Sequence, residues 1–133
     1  PGETHDTMVA QAGMLSELPL STLKIHQLQL IRGTRMAHEY EENPTGFHLF
    51  REVDEYIDLV IDYVEHLHPD LVLERFVSQS PKELLIAPDW GLKNYEFVTR
   101  LQKRMKERGA YQGKKYRDSE KRVIFAEDNF TTE

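Results

Sequence analysis

The chain has 133 residues, a formal net charge of -6, and 39% hydrophobic against 30% charged residues. That is enough for one domain with a modest core and too little for two. No apolar run approaches the ~20 residues of a membrane-crossing helix, which excludes insertion by that route. With no cysteine, the chain has no disulfide, no thiolate metal site and no cysteine nucleophile, and a cytoplasmic origin fits that composition.

The charge is unevenly distributed. Residues 1–90 hold 6 basic and 16 acidic side chains, whereas residues 91–122 hold 11 basic and 4 acidic. A basic block of this kind suits a phosphate backbone, and it equally suits a solvated helix with a basic tail. The chain starts at Pro1-Gly2-Glu3, without an initiator methionine or signal-peptide pattern, and is expected to be a piece of something longer.

In chain order, Pro1-Gly2-Glu3 reads as a turn and Thr4 as the N-cap of a helix to about Leu18, with Met8, Ala12, Leu15 and Leu18 on one stripe. Pro19 ends it. Thr22 to Thr34 then reads as one central strand. Leu23, Ile25, Gln27, Gln29 and Ile31 fall on one face and Lys24, His26, Leu28 and Leu30 on the other. Neither face is cleanly polar, so the strand is expected to be buried on both sides, as in parallel α/β sheets. His26, Gln27 and Gln29 are then either hydrogen-bonded core residues or the lining of a cavity at the strand's C-terminal end, where such folds place ligands.

Thr34 caps a short helix through Met36 and Tyr40, and Asn43-Pro44-Thr45-Gly46 is turn chemistry. Phe47 to Phe50 is ambiguous. From Val53 to Leu67 comes the clearest helix, with Val53, Ile57, Val60, Val64 and Leu67 as its apolar stripe and Asp54, Glu55, Asp58, Asp62 and Glu65 as a solvated face. Leu71 to Val77 is a second strand, and Arg75 near its end is the charge to watch. Lys82 to Ile86 is a helical turn or a strand. Trp90 is a packing anchor or, less simply, a stacking platform. Leu92 to Arg108 is a second strong helix, stopped by Gly109. This gives a body over 1–109 and a flexible or wrapping tail over 110–133.

Six histidines invite a metal, but none of them shows ligand spacing. There is no phosphate loop, dinucleotide fingerprint or nucleophile elbow. No complete catalytic constellation is present.

Residue patterns say more than periodicity. Pro1-Gly-Glu-Thr4 before a helix, Leu23-Lys-Ile-His-Gln-Leu-Gln-Leu-Ile-Arg-Gly-Thr34, and Glu74-Arg-Phe-Val-Ser-Gln-Ser-Pro-Lys-Glu-Leu-Leu-Ile-Ala-Pro-Asp-Trp-Gly-Leu-Lys93 closely resemble the second half of radical SAM proteins of the YhcC type. The likeness runs in order over about residues 1–112. More distantly, the strand ending in Arg-Gly-Thr and the later strand with an arginine resemble the radical SAM region of the Elongator catalytic subunit.

The resemblance implies an α/β fold, a fragment of a partial (βα) TIM-like barrel with flanking helices. In that superfamily a CxxxCxxC loop in the first half holds a four-iron four-sulfur cluster that cleaves S-adenosylmethionine (SAM) to a 5′-deoxyadenosyl radical. Without that loop, this chain is expected to bind neither cluster nor cofactor alone and to need the missing N-terminal half of the barrel. Pro1, Gly2 and Glu3 correspond to the end of the glycine-rich strand where the adenosine part of SAM packs. The backbone of Leu28, Gln29 and Leu30 corresponds to the adenine-contacting region. Gln27, Gln29, Arg32, Arg75 and Lys82 would sit at the mouth as substrate-side residues. The Elongator likeness and the basic 93–122 segment together imply RNA, specifically tRNA, as a partner. Exposed barrel edges imply a homodimer. The alternative is a binding module without catalysis, using the basic segment.

Overall fold

The computed structural model describes residues 1–116. Its elements follow one another as α1 (His5–Ser16), β1 (Thr22–Lys24), β2 (Leu30–Ile31), α2 (Arg35–Glu42), a 3-10 turn (Pro44–Gly46), α3 (Val53–Glu65), β3 (Val72–Arg75), β4 (Leu85–Ala87) and α4 (Asn94–Arg108). β1 and β3 pair in parallel, with α3 in the crossover between them, while β2 and β4 form a separate antiparallel pair. The fold is therefore mixed α/β, and its described strands close no barrel.

Local chemistry sets the helix ends. The Thr4 hydroxyl accepts from the Thr7 amide, and the Thr7 hydroxyl accepts from the Thr4 amide at 2.8 Å, a reciprocal cap that starts α1. Thr34 caps α2 through the Ala37 amide. At the start of α4 the Glu96 carboxylate accepts from the Lys93 amide at 2.7 Å. Gly109 closes α4 at φ 62°, a left-handed conformation that glycine adopts without steric penalty, and the Ala110 amide returns to the Met105 carbonyl at 2.8 Å.

α3 is the hub of the packing. Tyr56, Ile57, Val60, Ile61 and Val64 are all buried, a wider face than one stripe, because α1 and α4 both pack against this helix. Phe97 and Leu101 of α4, Ala12 of α1, and Leu67, Leu71 and Val77 complete the main core, against which Leu23, Ile25 and Leu73 pack from the sheet. Burial of this apolar surface is the main force holding the layers together. Trp90 is an anchor in that core: it stacks on Tyr56 and Phe97 with centroids 5.2 and 6.4 Å away, and its indole N–H donates to the carbonyls of Phe50 and Arg51. Leu30, Leu49 and Ala87 form a second, smaller core.

Three sequence expectations change. The single strand Thr22 to Thr34 is two short strands with different partners, separated by an irregular stretch over 25–29. Burial on both faces fails with it, since Thr22, Lys24 and His26 are exposed while Leu23 and Ile25 meet the core. A two-stranded sheet with helices on one side covers only one face. The acids of α3 are not all solvated: Asp58 pairs with Arg104, Asp62 with Arg108 and His5, and Glu65 with Arg108 and Lys115.

Residues 110–116 cross the end of α3. Gln112 donates to the carbonyls of His68 and Leu71, and the Gly113 and Lys115 amides donate to the carbonyls of Val64 and Glu65. Val64 and Glu65 belong to the last turn of α3, where carbonyls lack the i+4 amide of the helix interior. The apolar run Val123 to Phe125 and the rest of the basic block beyond Tyr116 lie outside the described residues.

Candidate cofactor and substrate site

Two clefts open beside the irregular stretch that follows β1. The first, of about 450 Å³, lies between the start of the chain, α1, β1 with the residues after it, the loop His48–Phe50 and the side of α3 that carries Tyr56, Leu59, Val60 and Tyr63. Its volume falls within the range of small-molecule sites. Gly2 stands at φ 76° with nothing within 4 Å of where a Cβ would be, so backbone conformation and not crowding calls for glycine there. The Glu3 carboxylate accepts from Gln11 Nε2 at 2.7 Å, which fixes it to α1. Across the cleft the Tyr63 hydroxyl has its pKa raised by burial and by the Glu3 carboxylate.

Of the residues singled out in the sequence, Pro1, Gly2, Glu3, Gln27 and Leu28 line this first cleft together. Two stretches more than twenty residues apart thus meet around one space. The main chain of Leu28 and Gln29 makes no main-chain hydrogen bond among the described residues, which leaves its donors and acceptors for a ligand. Leu30 is 0% exposed and its backbone pairs with Ala87.

The second cleft, of about 330 Å³, takes in Gln27, Gln29, Ser78, Ser80, Lys82 and Trp90 among its walls. Gln27 is 5% exposed and separates the two spaces. Its Nε2 donates to the Ser78 carbonyl and its Oε1 accepts from the Ser78 amide at 3.0 Å. Gln29 likewise donates to the Ser78 carbonyl and accepts from the Ser80 hydroxyl at 2.7 Å. These amides replace a β-ladder, tying the segment after β1 to the segment after β3. Arg32 and Arg75 are exposed and lie in neither cleft.

Sequence reasoning missed Lys24, His48, Phe50, Tyr56 and Tyr63, all of which line the first cleft. The signal was the aromatic and histidine-rich run Phe47 to Phe50 between a turn and a helix, too short for periodicity to classify. Burial pushes the Tyr56 hydroxyl pKa far up, and its O–H donates to the Phe76 carbonyl at 2.8 Å.

The basic character of α4 is partly neutralised internally. Arg104 Nε donates to Asp58 at 3.1 Å and an Arg108 N–H donates to Asp62 at 2.7 Å. Burial raises the Asp62 pKa, but the hydrogen bonds and charges of Arg108 and His5 outweigh it and the net shift is downward. On α4, Arg100, Lys103 and Lys106 remain exposed without an ion-pair partner among the described residues.

No group of three histidines or carboxylates that could hold a metal occurs among the described residues. The chain has no cysteine, so its residues do not fit an iron–sulfur cluster. The first cleft does fit part of a small polar-apolar cofactor, with free main-chain groups at one wall and aromatic and aliphatic side chains at the other.

No helix of the described residues is long and apolar enough to cross a membrane. No solved structure matches the chain. Among curated proteins, "Uncharacterized protein YtqA" of Bacillus subtilis is 34% identical over 114 residues, covering 86% of this chain and 34% of that protein. "Uncharacterized protein MJ0486" of Methanocaldococcus jannaschii is 30% identical over 119 residues, covering 87% of this chain and 35% of that protein. The chain thus spans about a third of the length of the curated relatives it matches. The family model of the radical SAM C-terminal domain matches residues 20–107, including both strands of the parallel pair, the Gln27 and Gln29 ties, and all of α4 but its last residue. The chain belongs to the radical SAM C-terminal domain family.

Proposed function

We propose that this chain is the C-terminal part of a radical SAM enzyme, completing a partial barrel whose first half supplies the cluster and the upstream strands. One observation carries the reading. Pro1-Gly2-Glu3 and Leu28, which the family likeness assigns separately to the adenosine part of SAM, line a single cleft of suitable size, with Gln27, assigned to the substrate side, beside them. The edge of β1 away from β3 has no strand partner among the described residues, and an open parallel edge of this kind suits an added strand. SAM, when bound with a reduced cluster, supplies a 5′-deoxyadenosyl radical. This chain's contribution is to bind and orient: free main-chain groups at Leu28 for the base, and apolar walls from Leu59, Val60 and Phe50 that exclude water.

The experiment is SAM binding to the longer protein, reconstituted anaerobically, with Gly2→Val and Leu28→Arg as variants. Both are expected to weaken SAM affinity about tenfold or more, as loss of close backbone approach or occupation of the cleft should, while the cluster's absorption spectrum stays unchanged. Unaltered affinity in both variants would place SAM elsewhere.

A tRNA substrate is the finer reading, and the exposed Arg100, Lys103 and Lys106 of α4 support it as well as they support the alternative of a non-catalytic binding module. Contacts from three cations to a single strand give a salt slope near -2 on a double logarithmic plot. Replacing all three with glutamine should flatten it. RNA affinity that is indifferent to salt would remove the polyelectrolyte component from both versions.

A further inference from the structure

In a two-stranded sheet with helices on one side, alternate residues face away from the helices. Leu23 and Leu73, paired in register, pack toward the main core, and Thr22, Lys24, Val72 and Glu74 are exposed. Strict alternation would turn Arg75 back toward the core. Instead the register shifts between Leu23 and Lys24, so that Arg75 becomes the partner of Lys24 and Glu74 is the extra residue. The next residue to meet the core is Phe76. The bulge therefore sets Glu74 and Arg75 together opposite Lys24. Bulges are rare in parallel pairs, and they are over-represented next to active sites, where they re-aim side chains.

Lys24 Nζ lies 3.6 Å from Glu74 Oε2. The Arg75 guanidinium, always charged, has no ion pair or hydrogen bond from its side chain among the described residues. Lys24 also lines the first cleft. In a completed barrel the bare face of β1 and β3 looks inward, away from bulk water. There the Lys24–Glu74 pair balances itself and Arg75 leaves one positive charge over, which a dry interior tolerates only when it is paired.

We propose that Arg75 is the centre of an oxyanion site in the barrel interior, taking a carboxylate or phosphate group of the substrate through its two-pronged N–H donors, while Glu74 neutralises the neighbouring Lys24. The inference rests on the barrel reading above. It adds a substrate class to that reading: small molecules or residues that carry an oxyanion near the reacting group.

The test is a titration of the isotopically labelled 133-residue chain with inorganic phosphate and, separately, with sodium acetate at constant ionic strength, following the amides of residues 22–25 and 72–76. Saturable shifts are expected. Arg75→Gln should weaken binding by about fivefold or more, and Glu74→Gln, which releases the Lys24 ammonium, should tighten it. Both side chains are exposed, and unchanged Val60 and Phe97 amides confirm that the variants fold. Stronger phosphate binding assigns the oxyanion as a phosphate, and stronger acetate binding assigns it as a carboxylate. Shifts that never saturate, or that survive Arg75→Gln, overturn the site. If that happens while the longer protein still loses SAM affinity on Gly2→Val, the oxyanion site fails alone. Saturable binding in a chain whose longer form takes no SAM leaves the oxyanion site standing and removes the barrel reading.

Discussion

Tyr56→Phe isolates a single hydrogen bond at the junction of α3, β3 and the loop carrying Trp90. The ring is 3% exposed and packs 5.5 Å from Phe97, 5.2 Å from Trp90 and 5.5 Å from Phe50, contacts that phenylalanine retains. What is lost is the O–H donated to the Phe76 carbonyl at 2.8 Å, leaving that acceptor without its partner. Such a loss costs about 1–2 kcal/mol, against about 3–5 kcal/mol for removing the whole ring with Tyr56→Ala. Urea unfolding followed by Trp90 fluorescence gives both values, provided the dependence on urea is unchanged. Alkali adds a second readout. The folded-state pKa of Tyr56 is raised by burial, so its contribution is complete below the ordinary tyrosine pKa and is lost as pH climbs from about 10 toward the folded value. Tyr56→Phe should therefore flatten the alkaline decline, leaving the smaller part due to Tyr63. A variant as stable as the parent at neutral pH, with the same alkaline slope, would refute the reasoning.

Further outcomes follow from the same structure. Gln27→Leu removes both bonds to Ser78 and should cost about 1–3 kcal/mol, with faster hydrogen exchange at the Ser78 amide as the local signature. Asp62→Asn weakens the tie among α1, α3 and α4. Because the folded pKa of Asp62 is depressed, its contribution holds above the ordinary aspartate pKa and disappears as pH falls through the folded value, so the variant should lose less stability than the parent between neutral pH and pH ~3. Gly109→Ala should cost about 1 kcal/mol in thermal unfolding from backbone strain alone, since nothing lies within 4 Å of the added carbon.

The helices were legible from sequence because each declares itself locally. Thr4 and Gly109 mark ends by side-chain capping and by left-handed backbone, and the stripe of α3 needs only 3.6-residue periodicity. The strand at Thr22 was not legible to its full extent. Leu28, Leu30 and Ile31 look like a continuation, but the chain leaves the β3 ladder after Ile25 and is held by glutamine side chains until β2 meets β4. Whether Gln27 was a core residue or a cavity residue had no separate answer in sequence, and it is both: its amide is engaged on Ser78 while its side chain divides two clefts. The paired acids of α3 escaped notice because Arg104 and Arg108 lie some fifty residues away in sequence. The cleft itself joins the chain start, the segment after β1 and the loop before α3, a juxtaposition no local pattern records.

The most direct measurement is the reductive cleavage of SAM to 5′-deoxyadenosine by the longer protein, reconstituted with iron and sulfide under anaerobic conditions, with the 133-residue chain as control. The account predicts 5′-deoxyadenosine from the longer protein and none from the control, which has no cysteine to hold a cluster. A longer protein fully loaded with cluster that yields no 5′-deoxyadenosine would contradict it.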